Sequence, residues 1–192
     1  VILTDGGSSD AIEEVADAVG ARLIRGARGR GAQLARGADV ARGSWLLFLH
    51  ADTVLGPGWV EAARRHMRTA PDHAGWFRLR FDEDTAPARA VARWANLRSG
   101  ALGLPYGDQA LLAPVRLYRK VGGYPHIPLM EDVALARALH GRLRPLAAEA
   151  VTSAERYRQG GWLRRGGRNL STLALWRLGG PAHKLAERYE RR

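Results

Sequence analysis

Cysteine is absent from the 192 residues, so neither disulfides nor thiolate metal sites contribute to this protein. Lysine is nearly absent too, occurring only at Lys120 and Lys184, which leaves arginine to carry almost all of the positive charge. Long apolar runs are missing: the longest, Trp45 to Leu49, is far short of the ~20 residues of a membrane-spanning helix. The chain opens on Val1-Ile2-Leu3 rather than on a basic stretch followed by an apolar one, so no export signal is legible and the expectation is a cytoplasmic protein.

What is present is ordinary globular material. Hydrophobic residues make up 46% and charged residues 26%, a balance that excludes a disordered chain. The length suits a single domain over 1–192 that buries roughly 70% of its chain surface. A net charge of +11 attracts polyanions, and arginine favours bidentate contacts to phosphate. Codon bias produces the same arginine- and alanine-rich composition. The charge is scattered, with denser stretches from Arg156 to Arg168 and at the carboxyl end. A nucleotide diphosphate or an anionic membrane surface suits this sign. No nucleic-acid motif appears, and the aromatics do not cluster with arginine as a stacking platform requires, so nucleic acid is not an expected partner.

The first third alternates short apolar strands with helical patterns. Val1 to Leu3 reads as a strand, followed by a helix capped by Asp10 and Glu13, with Ile12, Val15, Ala16 and Val19 on one face and Gly20 ending it. Leu23-Ile24 is a second strand. A glycine-rich stretch, Gly26 to Gly31, then leads into a helix ending near Gly43. Trp45 to Leu49 reads as a strand buried on both faces. This alternation predicts a mostly parallel sheet flanked by helices. Further on, Phe77, Leu79 and Phe81 alternate with Arg78, Arg80 and Asp82, giving a strand with one wet face. A helix is predicted over 85–97 with Val91, Trp94 and Ala95 inward, a loop over 100–107, a strand over 109–113 and a helix over 133–140. The tail from Trp162 is basic and amphipathic: it either packs on the domain or lies on an anionic membrane.

Three acidic positions stand at ends of predicted strands or helices, where open α/β sheets place ligands. Asp5 follows the first strand in Thr4-Asp5-Gly6-Gly7-Ser8; the plain alternative is a strand-to-helix turn. Asp52 follows the apolar strand in His50-Ala51-Asp52, well placed to offer Mg²⁺ or Mn²⁺ a hard oxygen; the alternative is a polar turn. His50 is a second ligand, a ribose contact or a turn histidine. Glu131-Asp132 opens a helix, either stabilising its dipole or supplying a general base.

The series TDGGSSD, GRGAQLARGADVARGSWLLFLHADT, GLPYGDQALLAPVRLYRKVGGYP and PLMEDVALARAL resembles the inverting family-2 glycosyltransferases, and more narrowly the bacterial arsenosugar-biosynthesis subgroup. Nothing in these residues recognises arsenic. The resemblance runs from Val1 into the tail at 178–189. It implies a GT-A-type α/β fold, a mixed sheet flanked by helices, with the family's first strand and helix falling ahead of Val1. By the same resemblance, Asp5 and Gly6 belong to the nucleotide-base pocket, and Arg30 and Gln33 to a segment beside the donor nucleotide. Asp52 is then the metal-binding end of a DxD-like motif. Gly107, Asp108 and Gln109 form a loop near sugar and acceptor, and Asp132 is the catalytic base with Glu131 beside it. Two positions depart from the pattern. Gly6 replaces a common second Asp, which removes the usual uracil contact, and His50 replaces the first Asp of DxD, which removes one hard oxygen ligand.

The expected activity is metal-dependent, inverting transfer of a sugar from a nucleotide-diphosphate donor to a hydroxyl acceptor, with Mg²⁺ or Mn²⁺ as cofactor. The alternatives are a sugar nucleotidyltransferase and a non-catalytic basic binding module.

Overall fold

The computed structural model describes residues 1–190. In chain order its elements are β1 (Ile2–Asp5), α1 (Ile12–Ala18), β2 (Arg22–Arg25), α2 (Arg30–Val40), β3 (Trp45–Phe48), β4 (Thr53–Leu55), α3 (Trp59–Thr69), β5 (Ala74–Phe81) and α4 (Ala86–Leu102). A 3₁₀ turn (Gly107–Gln109) precedes β6 (Leu111–Pro114), α5 (Val115–Lys120), α6 (Glu131–Ala138), β7 (Leu143–Thr152), α7 (Glu155–Gly160), α8 (Trp162–Arg177) and α9 (Ala182–Glu190).

The strands form two sheets. β1 and β2 pair in parallel, and a five-stranded sheet has the order β3-β6-β5-β7-β4. Within the larger sheet only β5 and β7 run parallel; the β3–β6, β5–β6 and β4–β7 ladders are antiparallel. The expectation of a mostly parallel sheet therefore gives way to a mixed one. Strand–helix alternation sets direction only where each helix carries the chain to a parallel neighbour. Here β6 enters between β3 and β5 running against both.

Other corrections concern burial and element ends. In β3, Leu46 and Phe48 are buried while Leu47 and Leu49 stay open, because β3 pairs only with β6 and helices cover one of its faces. α1 starts at Ile12 with no side-chain cap, so Asp10 and Glu13 do not form the expected box; Val15 and Val19 are exposed and Ala16 alone is buried. α4 begins as predicted, with the Thr85 hydroxyl accepting the Ala88 amide at 3.3 Å, but it runs on to Leu102 and is closed by Gly103 in the left-handed region. Its inward stripe is Ala88, Ala92, Ala95 and Ser99, which leaves Trp94 outside. Gln109 lies in the 3₁₀ turn rather than in a strand.

The core lies on both faces of the larger sheet. One cluster joins Phe48, Ala74, Leu111 and Ala113 to Ala35 and Ala38 of α2, Leu117 and Tyr118 of α5 and Leu135 of α6. On the opposite side Phe77, Leu112, Leu146, Ala148 and Ala150 pack under Ala63 of α3. α2 also packs on β1, so this one helix ties the small sheet to the large one.

Inside this frame sits a polar knot. Gln109 is fully buried; its carbonyl oxygen accepts from the Ser99 hydroxyl at 2.6 Å, Arg98 Nη2 at 3.3 Å and the Tyr106 amide at 3.3 Å. Its amide nitrogen donates to the Phe77 carbonyl and to Asn96 Oδ1. Asn96 in turn brackets the Leu79 backbone at 2.8 and 3.0 Å. Gln109→Ala strands Ser99, Arg98 and a backbone carbonyl in the interior, so we expect a loss of about 2–4 kcal/mol in urea unfolding. A variant as stable as the parent would show that water replaces the amide without cost.

Candidate functional site

The first turn of the chain is self-contained. The Asp5 carboxylate is buried and accepts the Ser8 amide at 3.0 Å and the Ser8 hydroxyl at 2.6 Å. Those Ser8 bonds hold its pKa below the usual carboxylate value. Arg25 approaches it at 3.7 Å. Gln33 staples the following loop down: its amide donates to the Thr4 carbonyl at 3.1 Å and its oxygen accepts the Gly29 amide at 3.2 Å. Gly6 lies so close to Gln33 and to the Arg28 backbone that a β-carbon there would press on both.

A second group forms where α2, the turn after β3, the 3₁₀ turn and the start of α6 meet. The Asp132 carboxylate holds two backbone amides, Gly107 N at 2.8 Å on Oδ2 and Val133 N at 2.7 Å on Oδ1. Gly107 lies directly against the His50 imidazole, and any side chain at 107 would collide with that ring. His50 leads through Ala51 into Asp52. That turn is fastened from below, because the Asp52 carbonyl accepts the Ser153 amide at 3.0 Å and the Thr152 hydroxyl at 3.3 Å. The Asp52 carboxylate remains open to solvent, with only the Thr53 hydroxyl at 3.4 Å and Arg156 at 3.9 Å near it. His50 thus stands in the field of both carboxylates.

Burial, chiefly, and then the charge of Arg30 lower the His50 pKa, so its ring is neutral near pH 7. Its Nε2 is buried without a hydrogen-bond partner, as is Asp108 Oδ1, while Glu131 Oε1 has only an ion pair with Arg30. Burial pushes Asp108 up to about 6, with Asp132 adding to the rise and Arg98 opposing it. Glu131 is raised to about 7 by burial and by neighbouring Asp132, against the pull of Arg30, whose Nη1 lies 3.4 Å away. Buried polar atoms without partners are rare in folded proteins and mark places where a ligand or water belongs.

The structure therefore gathers Arg30, His50, Asp52, Gly107, Asp108, Glu131 and Asp132 into one neighbourhood. Asp5, Gly6 and Gln33 flank it beside the N-terminal end of α2, with the Asp5 and Gln33 side chains engaged in the turns after β1 and before α2. The Gln109 side chain is not at the surface of this site; it lies beneath, holding the turn in place. Three contributors escaped sequence reading: Arg156 beside Asp52, Arg98 under the turn with its guanidinium 3.5 Å from the Tyr106 ring centre, and Tyr124, buried near Asp132. A buried arginine at 98 breaks hydrophobic periodicity, so no pattern could have found it. Among the described residues no group of three or more His, Asp or Glu side chains is assembled that could hold a metal ion. A depression of about 970 Å³ between β5 and α4 contains none of these residues.

The Glycosyl transferase family 2 model matches residues 1–119. The chain belongs to this family. No curated protein sequence matches it. Among solved structures it is similar to S. aureus TarS 1-349 in complex with UDP-GlcNAc (TM-score 0.61, 11% identity), covering 80% of this chain and 49% of that one. GalNAc-T7 with UDP, GalNAc and Mn²⁺ gives a TM-score of 0.56 at 12% identity over 79% and 36% of the two chains. Glucosyl-3-phosphoglycerate synthase from Mycobacterium tuberculosis gives 0.51 at 19% identity over 94% and 69%. The chain thus spans about half the length of the TarS chain it matches. These likenesses establish a GT-A-type fold. The family match takes in Arg30, His50, Asp52 and the 3₁₀ turn, while Glu131 and Asp132 lie beyond its end.

Glu131 yields a pH prediction. Its carboxyl is raised from 4.5 to about 7, so the folded protein binds this proton more tightly than the unfolded chain does. Stability therefore falls as pH rises from about 4.5 to about 7 and levels off above that. Glu131→Gln should flatten this decline, measured as urea midpoints between pH 5 and 8. An unchanged slope in the variant would show that Glu131 is ionised throughout.

Proposed function

We propose that this protein transfers a sugar from a nucleotide-diphosphate donor to a hydroxyl acceptor with inversion at the anomeric carbon. One observation carries the reading: the Asp132–Gly107 hydrogen bond, with Gly107 seated on His50, links the two carboxylates that the reaction needs. In this reading Asp132 accepts the acceptor's hydroxyl proton. The acceptor oxygen then bonds to the anomeric carbon as the bond to the β-phosphate oxygen breaks, and the electron pair leaves with the diphosphate. The two amides already on Asp132 fix its orientation and leave lone pairs free for the proton. Arg30, beside Glu131, and Arg156, beside Asp52, supply positive charge for the departing diphosphate.

A divalent cation fits in a limited way. Asp52 would give Mg²⁺ or Mn²⁺ one oxygen, leaving the other positions to the diphosphate and water, the usual mode for Mg²⁺ at phosphates. When bound, such an ion neutralises charge developing on the leaving group. The neutral His50 ring, occupying the other donor position of that motif, favours a hydrogen bond to the donor over a second hard ligand. TarS is in complex with UDP-GlcNAc and GalNAc-T7 with UDP, GalNAc and Mn²⁺, which makes a uridine donor the first to try. Gly6 is where a second Asp is common, so other bases belong in the same screen. The narrower arsenosugar affiliation rests on the motifs alone.

The test is release of nucleoside diphosphate from a panel of nucleotide sugars with a hydroxyl acceptor. Asp132→Asn should lower turnover about 10²–10⁴-fold, and Asp52→Ala about 10²-fold or more, with folding retained in both. Full transfer by either variant would remove that residue from the mechanism. Pyrophosphate formed from a nucleoside triphosphate would replace the proposal with a nucleotidyltransferase.

A further inference from the structure

The tail divides its large side chains between two directions. Trp162 packs edge-on against Phe81 at 5.0 Å and stacks on Tyr157 at 4.7 Å; Leu173 joins Leu104, Met130 and Val133. Arg137 lies 5.2 Å from the Trp176 ring. Two arginines of α8 also turn inward, Arg165 towards the rings of Tyr157 and Tyr189 and Arg168 at 4.7 Å from Tyr189. These contacts fix the rotation of α8 about its axis.

The residues left outside are Leu163, Arg164, Gly167, Leu170, Ala174, Arg177 and Leu178. Steps of four, three, four and four from Leu163 to Leu178 make one continuous stripe, and Leu178 keeps helical bonding through its amide to the Ala174 carbonyl at 3.1 Å. Leu163 is 92% exposed, Leu178 85% and Leu170 44%. Arg164 and Arg177 stand at the two ends of the stripe, roughly 20 Å apart along the axis, and α8 contains no acidic residue.

We propose that this face of α8 lies on an anionic phospholipid leaflet. Leucines in a row enter the acyl boundary, while the guanidinium at each end reaches back to headgroup phosphates. A second copy of the chain is a poor occupant, because a two-fold contact would set Arg164 and Arg177 against like charge with no acid on α8 to answer them. Nucleic acid is poorer still, since the aromatic rings that could stack on bases are turned inward. The attachment is peripheral and salt-sensitive, and it is separate from the transfer chemistry: none of the stripe residues belongs to the carboxylate cluster.

Co-sedimentation of the chain with phosphatidylglycerol-containing vesicles tests it directly. The protein should sediment with these vesicles at low ionic strength, be released at high salt, and ignore pure phosphatidylcholine. Leu163→Ser with Leu178→Ser should weaken binding about tenfold or more with an unchanged circular dichroism spectrum, and Arg164→Glu with Arg177→Glu should abolish the preference for anionic lipid. Absence of lipid-dependent sedimentation, or equal binding by both double variants, overturns the proposal. So does sedimentation velocity showing a dimer that the serine substitutions dissociate, or salt-sensitive duplex DNA binding that survives them.

Discussion

The contact on which the site depends is a single backbone amide. Gly107 N donates to Asp132 at 2.8 Å, and the bare α-carbon of the same residue lies against His50. Through one glycine, the start of α6 is registered against the turn that carries Asp52. No side chain could do both jobs, because a β-carbon would occupy the space of the imidazole. Hydrogen bond and close approach together set how the two carboxylates sit relative to one another.

Such a joint works only if the 3₁₀ turn itself cannot drift. Gln109 supplies the rigidity from beneath, tying the turn to α4 through Ser99 and Arg98 and to β5 through the Phe77 carbonyl. Ala110 follows at φ 48°, a strained conformation for a residue with a β-carbon, and it persists because the buried amide network on one side and β6 on the other over-determine it. Met130, at φ 68° immediately before Glu131, is a second such position. Both non-glycine residues in the left-handed region among the described residues thus adjoin the carboxylate cluster, where local strain is compensated by the surrounding core.

Much of this was legible beforehand, and the unequal legibility has physical reasons. Motif residues Asp52, Glu131 and Asp132 could be named because turns at strand ends and helix starts have recognisable chemistry. That Arg30, His50, Asp108 and these acids converge is a consequence of topology, and periodicity carries no topology. β7 went unread because its Ala-rich segment resembles helix; what makes it a strand is burial at Leu146, Ala148, Ala150 and Thr152 between β5 and β4, a tertiary fact. Gln109 was assigned to the site on the strength of its neighbours, whereas its side chain points into the core. Val15 and Trp94 show the converse: apolar residues at helical spacing that the packing leaves outside.

The titration states follow from the same arrangement. Asp108, Glu131 and Asp132 lie close enough to influence one another, and the two more buried members are raised to about 6 and about 7. Ionising all three together would concentrate negative charge in one place, and Arg30 and Arg98 offset only part of it. Burial relieves part of this crowding: Asp108 and Glu131 keep their protons to higher pH than exposed carboxyls do. Asp132, by contrast, is held by two backbone amides that fix its orientation. Backbone amides thus orient one carboxylate of the cluster while burial raises the other two, which is how three acids share one small space.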